Sequence, residues 1–231
     1  MLRTPTLALR LLGVSLLFVL LAAPAHAQFR SPQVAVAGTA LQAFMAAQGQ
    51  TIDVTTEQRL VDYWSGLYLT RPSSHFFVRS FGDGVDALAV YDASLPSPTL
   101  YTIHPAGLPA GWFTEVGFDY TPVQMVVNLF NNVGALQGST SYPGLGFTGF
   151  GLATSGPGGV FHAFDELNPG QRAHILAFQA TGPWGTWLCG ENQTAANGGD
   201  FDFADAIFLL ENINVTPVRT TTWGALKQRF R

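Results

Sequence analysis

Residues 75–91 read His75-Phe76-Phe77-Val78-Arg79-Ser80-Phe81-Gly82-Asp83-Gly84-Val85-Asp86-Ala87-Leu88-Ala89-Val90-Tyr91. Two short apolar runs, 75–79 and 87–91, flank Phe81-Gly82-Asp83-Gly84, a turn signal, and so read as strands. Upstream, Thr51-Ile52-Asp53-Val54-Thr55 alternates and reads the same way. Downstream, further runs lie at 100–103, 113–118, 124–130, 146–153, 159–164, 174–179, 186–189 and 206–210, each bounded by Gly, Pro or Asn. Short strands without intervening helices predict an all-β fold, an antiparallel β-sandwich or jelly roll. One short N-terminal helix is expected over Gly38 to Gln48, with Thr39 as its cap, Leu41, Phe44 and Met45 at helical spacing, and Gly49 at its end.

Composition agrees with that class. The 231 residues include 25 Gly, 14 Pro and a single Lys, a poor supply of side chains for the wet faces of long helices. Hydrophobic residues make up 47% and aromatics 13%, enough to bury a sizeable core, most simply as one domain. Only 11% of residues are charged, with 11 Lys+Arg against 15 Asp+Glu, which leaves no basic footprint for nucleic acid.

Residues 1–27 have the layout of a secretory signal. Arg3 and Arg10 precede the run Leu11 to Leu21, and Ala25-His26-Ala27 forms an A-x-A cleavage site. The apolar run is short for a bilayer core of about 30 Å, so no membrane span is expected after cleavage. Removing the signal leaves an acidic chain of net charge −6, expected outside the cell or in its envelope. The body, 28–216, reads as a single β-sandwich domain. The tail, 217–231, is basic and amphipathic, with Trp223, Leu226 and Phe230 interleaved with Lys227, Arg229 and Arg231. Cys189 is the only cysteine, so no internal disulfide forms. Its apolar surroundings Trp187-Leu188-Cys189-Gly190 predict a buried, inert thiol.

Most chemical motifs fail on inspection. Gly144-Leu145-Gly146-Phe147-Thr148-Gly149 has the G-x-G-x-x-G spacing, but Gly-rich sequence follows where dinucleotide binding needs a helix. The mature histidines His75, His104, His162 and His174 are scattered and read as structural. The informative feature is acidic. Glu191, Asp200, Asp202 and Asp205 place four of the fifteen carboxylates within fifteen positions. In an extended segment Asp200 and Asp202 share one face while Phe201 and Phe203 take the other, with a bend after Phe203. Carboxylates crowded this closely repel one another unless a cation neutralises them, and hard oxygen ligands select calcium or magnesium. An EF-hand loop is excluded, because Ala204 falls at its fifth position and Asp205 at the sixth, which requires Gly.

Gly159 to Gln179, then Gly190-Glu191-Asn192, then Gly198-Gly199-Asp200-Phe201-Asp202-Phe203-Ala204-Asp205-Ala206-Ile207-Phe208, together resemble the exported bacterial domain of unknown function 4114. That family's pattern runs LNPGG-x-DHxLAF, then FED, then GGDRDYND before a hydrophobic strand. The resemblance is closest over 159–211. It implies a β-rich module of secreted, surface or adhesin-like proteins whose acidic residues serve ion binding or an enzymatic activity. By position Glu191 matches the Glu of FED, and Asp200, Asp202 and Asp205 match aspartates of the last block. This chain differs at Gly190, Asn192, Phe201 and Ala204. The expectation is a secreted or cell-surface module, not an enzyme, whose acidic loop binds calcium through Glu191, Asp200, Asp202 and Asp205 in a structural or adhesive role. Its expected partner is a surface glycan or another extracellular or envelope protein. The alternative is a secreted glycosidase-like hydrolase using Glu191 with Asp200 or Asp202 as acid and base.

Overall fold

The computed structural model describes residues 39–59, 63–66, 73–82, 84–93, 95, 97–146, 149–181 and 185–216. The leader 1–27 and the tail 217–231 lie outside these residues. Among the described residues one α-helix, α1 (Ala40–Ala47), precedes thirteen strands. These are β1 (Tyr63–Gly66), β2 (Ser73–Ser80), β3 (Ala87–Tyr91), β4 (Tyr101–His104), β5 (Phe113–Tyr120), β6 (Val123–Phe130), β7 (Leu136–Pro143), β8 (Gly151–Gly156), β9 (Gly159–His162), β10 (Ile175–Gln179), β11 (Gly185–Gly190), β12 (Ala206–Glu211) and β13 (Ile213–Thr216). A seven-stranded sheet runs β10-β11-β12-β2-β5-β6-β7, and a four-stranded sheet runs β4-β3-β8-β9. A two-stranded ribbon pairs β1 with β13. Every pairing is antiparallel, as the sequence predicts. No helix among the described residues is long and apolar enough to cross a membrane.

The two large sheets enclose the main core. Phe76, Val78, Val116, Phe118, Leu188, Phe208 and Leu210 from one meet Leu88, Val90 and Leu152 from the other. Phe76 ties the faces together, stacking on Phe118 at 6.3 Å and on Phe150 at 5.6 Å. A second apolar layer covers the outer face of β10, β11 and β12. There Leu176, Phe178, Trp187, Cys189 and Ile207 pack against Leu41 and Met45 of α1 and against Ile52, Val54, Phe201 and Phe203. Strands in the middle of three layers are buried on both faces, which is why β10 and β12 read as continuous apolar runs. Strand β7 lies at the sheet edge, is almost entirely exposed, and carries the polar sequence LQGSTSYP.

Local chemistry departs from the sequence reading in two places. Thr39 occupies the N-cap position but makes no side-chain cap; its carbonyl accepts the Ala43 N–H instead, at 3.1 Å. The 51–55 segment is not a strand, because Asp53 Oδ1 accepts the Thr55 N–H at 2.8 Å and turns the chain. Its alternation is nevertheless spatially real: Ile52 and Val54 are buried under α1. Cys189 is fully buried, and burial pushes its thiol well above the ordinary range.

Candidate metal centre

Gly190 pairs with Ala206 at the end of the β11–β12 ladder, and residues 191–205 loop out between them. The loop is fastened at its root. The Glu191 N–H donates to the His174 carbonyl at 2.8 Å, and His174 Nδ1 lies 3.3 Å from the Glu191 carbonyl. Burial lowers the affinity of His174 for a proton. Its ring stacks on Phe161 at 4.1 Å and faces Phe201 at 5.4 Å, while the Arg172 guanidinium covers Phe201 from 4.6 Å. Phe201 is thereby anchored, and it carries Asp200 and Asp202 with it.

The aspartates reach their positions by a route different from the extended strand expected. Phe201 and Phe203 both adopt left-handed backbone, each at φ 56°. Asp200 Oδ1 accepts the Asp202 N–H at 3.2 Å, and Asp202 Oδ1 accepts the Ala204 N–H at 2.8 Å. Two successive aspartate turns thus bury both aromatic rings and leave Asp200 exposed and Asp202 half-buried. Left-handed backbone at non-glycine residues is strained by about 1–2 kcal/mol each, a cost offset here by burial of two phenylalanines.

Glu191, Asp200 and Asp202 come together, with one carboxylate oxygen from each within 4.8 Å of the others. Glu191 is only 1% exposed, and its Oε2 has no hydrogen-bond partner. Its Oε1 accepts the Gln193 N–H at 3.3 Å. Asp205 stands outside this trio. Its Oδ2 accepts the Asn192 N–H at 3.2 Å, and its side chain contacts the Glu191 carboxyl closely enough to share a proton. Burial, then the Asp205 charge and that shared proton, raise the Glu191 pKa to about 7. Burial and its acidic neighbours also raise Asp202. A buried carboxylate with an unpaired oxygen beside two more carboxylates is short of positive charge. One divalent cation would satisfy all three, so the cluster could hold a metal ion.

Three features of the centre were not visible as motifs. Asp86, buried directly before β3, accepts the Asn192 Nδ2–H at 3.2 Å and joins the loop to the smaller sheet. Those residues are 106 positions apart, and no local pattern links them. Gly158, in the β8–β9 turn, lies against the same residue: a Cβ there would sit 1.7 Å from the Asn192 carbonyl oxygen. Asn168 clamps the preceding turn, accepting the His162 N–H at 2.7 Å and donating to the His162 and Arg172 carbonyls. Among the histidines, His104 is buried edge-on to Phe208 and pushed by burial down to about 4. No helix follows Gly149; the chain runs directly into β8.

No family model, curated protein or solved structure matches this chain.

Proposed function

We propose that this chain is an exported β-sandwich module, similar to the domain of unknown function 4114, whose 191–205 loop binds one calcium ion in a structural role. The burial of Glu191, whose Oε2 has no hydrogen-bond partner and whose carboxylate has one oxygen within 4.8 Å of oxygens of Asp200 and Asp202, carries the reading. Three carboxylates supply three to six oxygens, and calcium accepts six to eight at flexible angles, where magnesium demands a near-ideal octahedron. A loop built of aspartate turns, with one buried and one exposed ligand, suits the more tolerant ion. Its effect is mechanical: the ion fixes the loop that Asn192 joins to Asp86 and to the β8–β9 turn, so it pins the two sheets at one end.

The burial of Glu191 weighs against the hydrolase reading, since an acid or base must reach its substrate. Thermal melts with calcium and with chelator test the proposal. At ten times the dissociation constant, the linkage is about 1.4 kcal/mol, a rise of roughly 3 to 6 °C for a domain of this size. Asp202→Ala should abolish that rise. Identical midpoints with and without calcium would refute it.

A further inference from the structure

A cavity of about 450 Å³, lined by Val85, Pro157, Gly158, Asn192, Gln193 and Asn197, adjoins the carboxylate cluster. The two share a wall. Asn192 and Gln193 directly follow Glu191, and the Gln193 N–H bonds Glu191 Oε1. A Cβ on Gly199 would lie 2.6 Å from the Gln193 carbonyl oxygen and 2.9 Å from Glu191 Oε1, so only glycine lets the loop close over both.

The lining has a definite chemistry. None of its residues is charged, and three are primary amides, each offering both a donor and an acceptor. Asn192 spends its Nδ2 on Asp86, and its buried Oδ1 has no partner. The exposed side chains of Gln193 and Asn197 make no hydrogen bond among the described residues. A hydroxyl both gives and accepts a hydrogen bond, so amides of this kind match a hydroxylated ligand. Val85 and Pro157, both exposed, provide apolar surface for the C–H face of a ring. Anionic ligands are disfavoured, because the lining contains no Lys or Arg and three carboxylates stand next door. The volume falls within the range of small-ligand sites, about 300 to 1,000 Å³.

We propose that this cavity binds a neutral sugar unit, whose hydroxyls bond the amides of Gln193 and Asn197 and coordinate the cation held by Glu191, Asp200 and Asp202. The inference rests on the calcium reading above. Asp200 is exposed, and three carboxylates leave calcium with open positions for ligand oxygens.

The test uses the mature chain over surfaces carrying mannose, galactose, fucose or N-acetylglucosamine, in millimolar calcium and in chelator, with melting midpoints measured in parallel. Retention on at least one sugar is expected in calcium, falling tenfold or more in chelator. The double variant Gln193→Ala/Asn197→Ala should lose that retention yet keep the calcium-induced rise in midpoint. A calcium-induced rise without retention on any of the four sugars would overturn the sugar inference and leave the cation reading standing. Retention indifferent to the double substitution would also overturn it. Retention that needs Gln193 and Asn197 but not calcium, with no rise in midpoint, would overturn the cation reading and the coordination drawn from it.

Discussion

Glu191→Gln isolates the charge imbalance at the centre. In the ion-free fold Glu191 titrates at about 7, because burial, the neighbouring Asp205 and the more distant Asp200 all oppose its ionisation, whereas its ordinary value is 4.5. A folded-state pKa raised in this way makes the bound proton stabilising. That contribution is complete below pH 4.5 and is lost as pH rises through 7. At pH 8 the ionised carboxylate therefore costs the ion-free fold on the order of 3 kcal/mol relative to a neutral side chain. Glutamine keeps the shape, removes the charge and can donate to Asp205. In chelator at pH 8 the variant should melt roughly 6 to 12 °C above the wild type, and near pH 4, below the ordinary value of the carboxyl, the gap should close. His174 and Arg172 are common to both proteins, so their contributions cancel in the difference. Saturating calcium should narrow the gap at pH 8, since the wild type gains the ion and the variant loses a ligand. Differential scanning calorimetry at the two pH values checks this. A variant that melts below the wild type at pH 8 in chelator would refute the view that Glu191 is an uncompensated buried charge.

Two further substitutions test the frame around the centre. Gly158→Ala forces a Cβ against the Asn192 carbonyl oxygen, a backbone atom with little freedom to yield; urea melts should show a loss of about 1–3 kcal/mol, with weakened calcium affinity. Phe76→Ala removes one of three mutually stacked rings, with Phe118 and Phe150, in the main core, and should cost about 3–5 kcal/mol by the same assay while leaving calcium binding intact in the folded fraction.

The strands that the sequence made legible are those with an apolar face to bury. Ala87 to Tyr91 is a strand over those residues, and Thr186 to Cys189 differs from β11 by a single residue at each end. Strand β7 escaped because its Ser, Thr and Gly face solvent at a sheet edge, where its one strand neighbour is β6. Strands β1 and β13 escaped because they are short and pair with each other across 150 positions of chain. The acidic cluster was legible as composition, and so was the burial of Phe201 and Phe203. The conformation that achieves it was not, because alternation of polar and apolar residues does not distinguish an extended strand from two aspartate turns. The link from Asp86 to Asn192 is purely tertiary and had no signal in the sequence.

Equilibrium dialysis of the protein against radiolabelled calcium is the deciding measurement. One ion per chain should bind, with a dissociation constant on the order of 10⁻⁴ to 10⁻³ M, and binding should disappear in Asp202→Ala. Binding that is absent from the wild type, or unchanged by that substitution, would contradict the account.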